Sequence, residues 1–228
     1  MKNLCIIPAR GGSKRIPRKN IKDFLGRPII AYSIDAALQS GLFDEVMVST
    51  DDEEIAEVAR QYGANVPFMR SAETSNDFAT TADVIIEVID KYKEMNEEFD
   101  TVTCIYSTAP FVTPSRLCEA FAMLNEDIDS VFTCVGFSYP VQRGLHIVDG
   151  KISMTNPEYI NTRSQDLEPI YHDAGQFYIS TIDSFRANRS FWGANTAGLV
   201  LSELEVQDLD TLTDWQLAEM KYKLLRCR

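Results

Sequence analysis

The chain has 228 residues, 45% hydrophobic and 25% charged, with 34 acidic against 22 basic side chains and a formal charge of −12. These figures exclude disordered, collagen-like and coiled-coil classes and argue against a general nucleic-acid surface. No apolar run approaches the ~20 residues that cross a bilayer, and residues 4–7 are too short for a signal-peptide core, so the expected compartment is the cytosol. The five cysteines are scattered, without a CxxC pair, which speaks against a disulfide framework or a structural zinc site.

In chain order, residues 4–7 read as a buried strand ending at Pro8. A polar, glycine-containing loop follows over 10–20. Pro28 opens a helical pattern through Ile34 and Leu38, closed by Gly41. Residues 45–49 form a second strand. Asp51 is the expected N-cap of a helix through Ile55 and Ala59, ended by Gly63. Residues 66–68 give a short third strand at best. Thr80 or Thr81 caps a helix with Val84, Ile85, Val88 and Ile89 on one face. Strand 101–106, a helix from Pro114 through Leu124, and strand 130–135 come next. Such strand–helix alternation predicts an α/β fold, Rossmann-like, with a mostly parallel sheet covered by helices on both faces. The pattern breaks after Phe137. Asp149-Gly150 predicts a hairpin between 146–148 and 151–154. Strands at 176–180 and 198–201 and a helix over 213–224 close the chain. A single domain is expected, with an accessory lobe at about 138–171.

The loop Pro8-Ala9-Arg10-Gly11-Gly12-Ser13-Lys14-Arg15-Ile16-Pro17-Arg18-Lys19-Asn20 carries five basic residues in a strongly acidic chain. Glycines let backbone N–H groups approach an anion and the cations neutralise it. Ligands of open α/β sheets bind beyond the carboxyl ends of strands, where this loop belongs. It therefore reads as a polyphosphate cradle, with Arg10, Lys14 and Lys19 on the charge; the alternative is a solvated basic turn. It is neither a P-loop nor a dinucleotide fingerprint.

Asp208 and Asp210 are two apart. In an extended segment both carboxylates point to one side, which suits Mg²⁺ shared with substrate phosphates. Equally, Asp210 or Thr211 can cap the following helix. Arg163 can clamp a carboxylate through its guanidinium or pair with Asp166 or Glu168. Gln176 and Tyr178 share one face of a predicted strand and can line a pocket or lie half exposed. His146 reads as structural, His172 as a weaker pocket candidate, and Cys227 as inert.

The stretch 7–20 resembles the signature of the CMP-sugar synthetases, the acylneuraminate cytidylyltransferase family. Val48-Ser49-Thr50-Asp51-Asp52, Thr108-Ala109-Pro110 and Val206-Gln207-Asp208-Leu209-Asp210 continue the resemblance along nearly the whole chain. The C-terminal half, through 138–143, 159–169 and 171–178, is similar to the branch acting on pseudaminic acid. The resemblance implies CMP transfer from CTP to the anomeric hydroxyl of a nine-carbon 2-keto acid (a nonulosonic acid), with Mg²⁺ on Asp208 and Asp210. It implies nucleotide contacts from Ala9, Arg10, Gly11, Gly12, Ser13, Lys19, Asn20, Arg70, Thr80 and Thr81. It places Tyr106, Gln142, Arg163, Gln176 and Tyr178 on the sugar side, and implies a homodimer in which the lobe covers the partner's sugar site. Sialate-type members often carry Gln-Pro-Thr-Ser-Pro where this chain has Tyr106-Ser107-Thr108-Ala109-Pro110, which points away from N-acetylneuraminate. N-acetylneuraminate, legionaminate or a shorter 2-keto sugar acid is the alternative acceptor, and a non-catalytic nucleotide sensor is the alternative of another class.

Overall fold

The computed structural model describes residues 1–13 and 15–226. Lys14 and Cys227 lie outside the described residues. In chain order the elements are β1 (Asn3–Pro8), the two-residue pair β2 (Asp23–Phe24) and β3 (Arg27–Pro28), α1 (Ile30–Ser40), β4 (Glu45–Ser49), α2 (Glu53–Gln61), the single turn α3 (Ala72–Ser75) and α4 (Thr81–Glu94). Then come β5 (Thr101–Ile105), α5 (Pro114–Phe121), β6 (Ser130–Gly136), β7 (Leu145–Val148), β8 (Lys151–Met154), β9 (Tyr171–Thr181), α6 (Ile182–Asn188), β10 (Thr196–Leu201) and α7 (Leu212–Arg226).

The main sheet has the order β10-β6-β9-β5-β1-β4. β1 runs parallel to β4 and β5, and β10 parallel to β6, whereas β9 is antiparallel to both its neighbours. The expected mostly parallel α/β sheet is therefore present, with one antiparallel strand inside it. Successive residues point to opposite faces, and both faces are apolar. Cys5, Ile7, Val46, Val48 and Ile105 pack with α1, α2 and α5. Leu4, Ile6, Met47, Val102 and Cys104 pack with α4 and α6. Each such aliphatic side chain taken out of water stabilises the fold by about 1.5–3 kcal/mol.

A third cluster lies off the sheet. Ile16 of the basic loop, Phe24, Ile29, Phe111, Leu209 and Trp215 of α7 pack together, so the basic loop and the 208–210 segment are seated on one apolar base.

Several boundaries differ from the expectations. The N-cap of α2 is Asp52, whose side chain accepts from Ile55 N; Asp51 instead accepts from Gly11 N of the basic loop at 2.9 Å. Residues 66–68 form no strand. Only Asn65 bridges to Met47, and Pro67 has no N–H to extend the ladder. α5 stops at Phe121 rather than running through Leu124. β9 is longer than 176–180 and carries a register shift against β6. Residues 137–170 leave the sheet and contain the β7–β8 hairpin, turned by Asp149 and Gly150 at φ 51° and 75°, the positive angles a type I′ turn demands.

Candidate active site

Beyond the carboxyl ends of β1 and β5 lies a cavity of ≈ 540 Å³, lined among others by Arg10, Ser13, Lys19, Asn20, Arg70 and Ser107. Three walls define it: the basic loop, the segment 74–81 that leads into α4, and residues 106–108 after β5.

The basic loop is pinned at several points. Ala9 N donates to Ser49 O at 2.9 Å. Arg18 makes a two-pronged ion pair with Asp52 and a second one with Glu54. Gly11 passes so close to Asp52 that a Cβ there would sit 2.6 Å from its Oδ2, which explains why glycine stands at that position. Gly12 has open space beside it.

Arg10 Nη1 reaches across the cavity to Asp77 Oδ1 at 2.9 Å. Arg70 sits deeper, with Nε on Ser49 Oγ at 3.0 Å and Nη2 on the Ser49 carbonyl at 2.5 Å. Burial pulls its guanidinium below the ordinary value, opposed by Asp51 and Glu87. A cation held this way, by hydroxyl and carbonyl oxygens, keeps attraction for an incoming anion. Thr80 caps α4 in a reciprocal capping box with Asp83, and both Thr80 and Thr81 line the cavity. The N-terminal end of this 14-residue helix therefore faces the same space, adding its partial positive charge.

Lys19 donates to Leu209 O at 2.8 Å. Burial lowers its pKa, opposed by attraction to Asp210 and Asp208. Leu209 is 1% exposed, whereas Asp208 is exposed and Asp210 half-buried. The cap of α7 falls to Thr211, whose hydroxyl accepts from Asp214 N at 3.2 Å; the Asp210 carboxylate pairs with Arg15. Among the described residues no cluster of three or more His, Cys, Asp or Glu could hold a metal unaided. Two carboxylates are fewer ligands than a divalent cation takes, so an ion held by Asp208 and Asp210 would need substrate oxygens as well.

A second cavity, ≈ 210 Å³, shares Thr80, Thr81 and Tyr106 with the first and adds Asp173, Tyr178 and Trp192. Tyr106 and Tyr178 meet edge to face at 5.4 Å between ring centres. Tyr178 donates to Asp173 Oδ2 at 2.8 Å, and burial raises its pKa. The other three residues expected on the sugar side are elsewhere. Gln176 is buried, and its amide donates to the Glu205 carbonyl. Gln142 donates to Glu168 O at 2.7 Å within the 137–170 excursion. Arg163 is exposed and pairs with Asp166 at 2.7 Å, the ion-pair alternative. His172 stacks obliquely on Phe137 at 4.7 Å and lines neither cavity. Asp77, Arg15, Ser107, Asp173 and Trp192 were not singled out from the sequence. Arg15 alone carried a signal, as one of the clustered cations.

Residues 4–190 match the family model described as cytidylyltransferase. The chain belongs to the cytidylyltransferase family. It is 43% identical to a pseudaminic acid cytidylyltransferase of Campylobacter jejuni, across 98% of this chain and 97% of that protein. It is 36% identical to the CMP-N,N'-diacetyllegionaminic acid synthase of Legionella pneumophila, again across 98% and 97%. Among solved structures, a CMP:2-keto-3-deoxy-manno-octonic acid synthetase complexed with CTP superposes with a TM-score of 0.70 at 20% identity, covering 100% of both chains. That likeness establishes the cytidylyltransferase fold. Among the described residues no helix is long and apolar enough to cross a membrane.

Proposed function

We propose that this cytidylyltransferase transfers CMP from CTP to the anomeric hydroxyl of pseudaminic acid, releasing pyrophosphate, and that it works in the cytosol. The observation that carries the nucleotide half is the convergence of Arg10, Arg70, Lys19 and the α4 N-terminus on one cavity. The choice of acid is supported by the full-length similarity to the Campylobacter enzyme. The Legionella relative makes a legionaminic acid the second reading.

In this reaction the anomeric oxygen forms a bond to the α-phosphorus, the bond from that phosphorus to the bridging oxygen of pyrophosphate breaks, and the hydroxyl proton is lost. Arg10, Lys14 and Lys19 neutralise the leaving pyrophosphate, and Gly12 would donate its backbone N–H, whereas the Gly11 N–H is held by Asp51 and the Ser13 N–H by the Gly11 carbonyl and would have to be released to join it. Preorganised donors of this kind act where charge develops. Arg70, Thr80 and Thr81 hold the nucleotide end, and the acid enters beside Tyr106 and Tyr178. Asp208 and Asp210 would hold Mg²⁺; when bound, the ion offsets charge on the phosphates and lowers the pKa of a hydroxyl brought to it.

A homodimer is part of the proposal. Leu145, Ile147 and Ile152 expose more than half their surface, and Ile147 and Ile152 are cross-strand partners. An apolar hairpin face of this kind calls for a covering surface, and a second copy would also bring Gln142 and Arg163 to a sugar site.

Pyrophosphate release tests the reading, using CTP and Mg²⁺ with pseudaminic, legionaminic or N-acetylneuraminic acid in parallel and an EDTA control. Release with pseudaminic acid alone is expected. Release only with another acid overturns the acceptor. CTP binding without release from any acid favours a sensor.

A further inference from the structure

We infer that Ser107 is a positioning residue for the nucleotide site, setting the conformation of the basic loop through Asn20; this rests on the nucleotidyl-transfer reading above. The end of β5 is tied on three sides. Ser33 Oγ of α1 donates to Tyr106 O at 2.8 Å, Tyr106 N donates to Gln176 O at 2.9 Å, and Ala109 N closes a turn onto Tyr106 O at 3.1 Å. From this platform Ser107, 5% exposed, donates to Asn20 Oδ1 at 2.9 Å. Asn20, 8% exposed, donates from Nδ2 to Arg10 O at 2.8 Å.

Chemistry determines the direction of this relay. A backbone carbonyl only accepts, so the Asn20 NH₂ faces Arg10 and its oxygen faces Ser107. The single Ser107 proton is therefore committed to Asn20. Arg10 and Asn20 stand at the two ends of the basic loop. One amide draws those ends together, and one hydroxyl holds that amide to the sheet. Without the hydroxyl, Asn20 Oδ1 is left nearly out of water and unpartnered, a state side chains escape by turning. A turned Asn20 releases the Arg10 backbone and shifts its neighbour Lys19, both of them cradle cations.

The test is CTP binding by calorimetry without acceptor, on wild type, Ser107→Ala, Ser107→Thr, Asn20→Ala and the Ser107→Ala/Asn20→Ala double variant, with melting temperatures alongside. Ser107→Ala is expected to bind CTP about ten-fold more weakly, the scale of one lost hydrogen bond. Ser107→Thr, which keeps the hydroxyl, restores most of the affinity. In the Asn20→Ala background the Ser107 change has no further effect, because coupled residues do not add. Unchanged affinity in Ser107→Ala, with or without a lower melting temperature, overturns the relay, as does full additivity in the double variant. Failure of the wild type to bind CTP overturns the nucleotide reading instead.

Discussion

The Arg10 guanidinium is held by the Asp77 carboxylate across the mouth of the cavity, at 2.9 Å, with the Asn76 carbonyl a further 3.3 Å acceptor. An anion of the protein thus stands where a phosphate of the proposed substrate would bind. A triphosphate entering this space must displace Asp77 from Arg10 or be repelled by it. Ion pairs this exposed are worth about 0–1 kcal/mol, so displacement is cheap, but a carboxylate left beside a triphosphate opposes binding.

Asp77→Asn is therefore expected to tighten CTP binding by about 3–10-fold at low ionic strength, less as salt screens the charge. Equilibrium titration at two salt concentrations checks this. Weaker binding by the variant would mean that Asp77 orients Arg10 for the nucleotide rather than competing with it.

The pairing of Lys19 with the 208–210 segment leads to a second expectation. Lys19 is attracted by both aspartates and tied to the carbonyl between them. Asp210→Ala should abolish turnover, by at least about 10³-fold given what a metal clamp supplies, while circular dichroism and melting stay close to wild type. Lys19→Ala should lose about 2–4 kcal/mol of transition-state stabilisation, the scale of one preorganised donor. EDTA should stop pyrophosphate release and Mg²⁺ restore it. Turnover retained in Asp210→Ala would remove the metal assignment.

The parts of this site that could be read from the sequence are local ones. The clustered cations and two glycines after an apolar strand stand within one short stretch, and residues 208 and 210 alternate about an apolar residue that has to be buried. The type I′ turn at Asp149-Gly150 is equally local. The neighbouring aspartates 51 and 52 have the same capping chemistry, and the cap expected at Asp51 is one residue early. Asp52 caps α2, while Asp51 fastens Gly11, and only tertiary structure assigns those tasks. The antiparallel course of β9 was hidden for the same reason. A buried strand looks alike in either direction, and its place between β5 and β6 depends on partners far away in the chain. Gln176 and Tyr178, which simple alternation puts together, differ in their partners: Gln176 donates to the Glu205 carbonyl and Tyr178 to Asp173.

Glu87 connects stability to the rim of the site. It accepts from Ser71 N and Oγ at 2.9 and 3.0 Å and from Thr74, and pairs with Lys91 at 2.7 Å. Burial alone would raise its pKa, but Lys91, Thr74 and Ser71 together bring it down to about 2. A carboxylate with a depressed folded pKa adds stability that is complete above its unfolded value and is lost as pH falls through the folded one. The gap between 4.5 and about 2 corresponds to roughly 3 kcal/mol at neutral pH. Glu87→Gln should be less stable by that order above pH 5, and the difference should shrink between pH 4.5 and 2. Urea unfolding at stepped pH measures it. A difference independent of pH would mean that packing, not charge, is what Glu87 provides.

The β7–β8 hairpin carries the last expectation. Its register pairs Leu145 with Met154 and Ile147 with Ile152, and alternation puts all four on one face. The other face carries His146, Val148, Lys151 and Ser153. A two-stranded hairpin alone is marginal in water, so the apolar face gains most by being covered. If a second copy covers it, Ile147→Glu combined with Ile152→Glu places two charges in the interface and should shift the protein to monomer in sedimentation velocity. CTP binding should survive, because the cradle lies within one chain, whereas turnover should fall if Arg163 of the partner subunit completes the sugar site. A monomeric wild type, or a double variant that remains dimeric, would remove the hairpin from the interface.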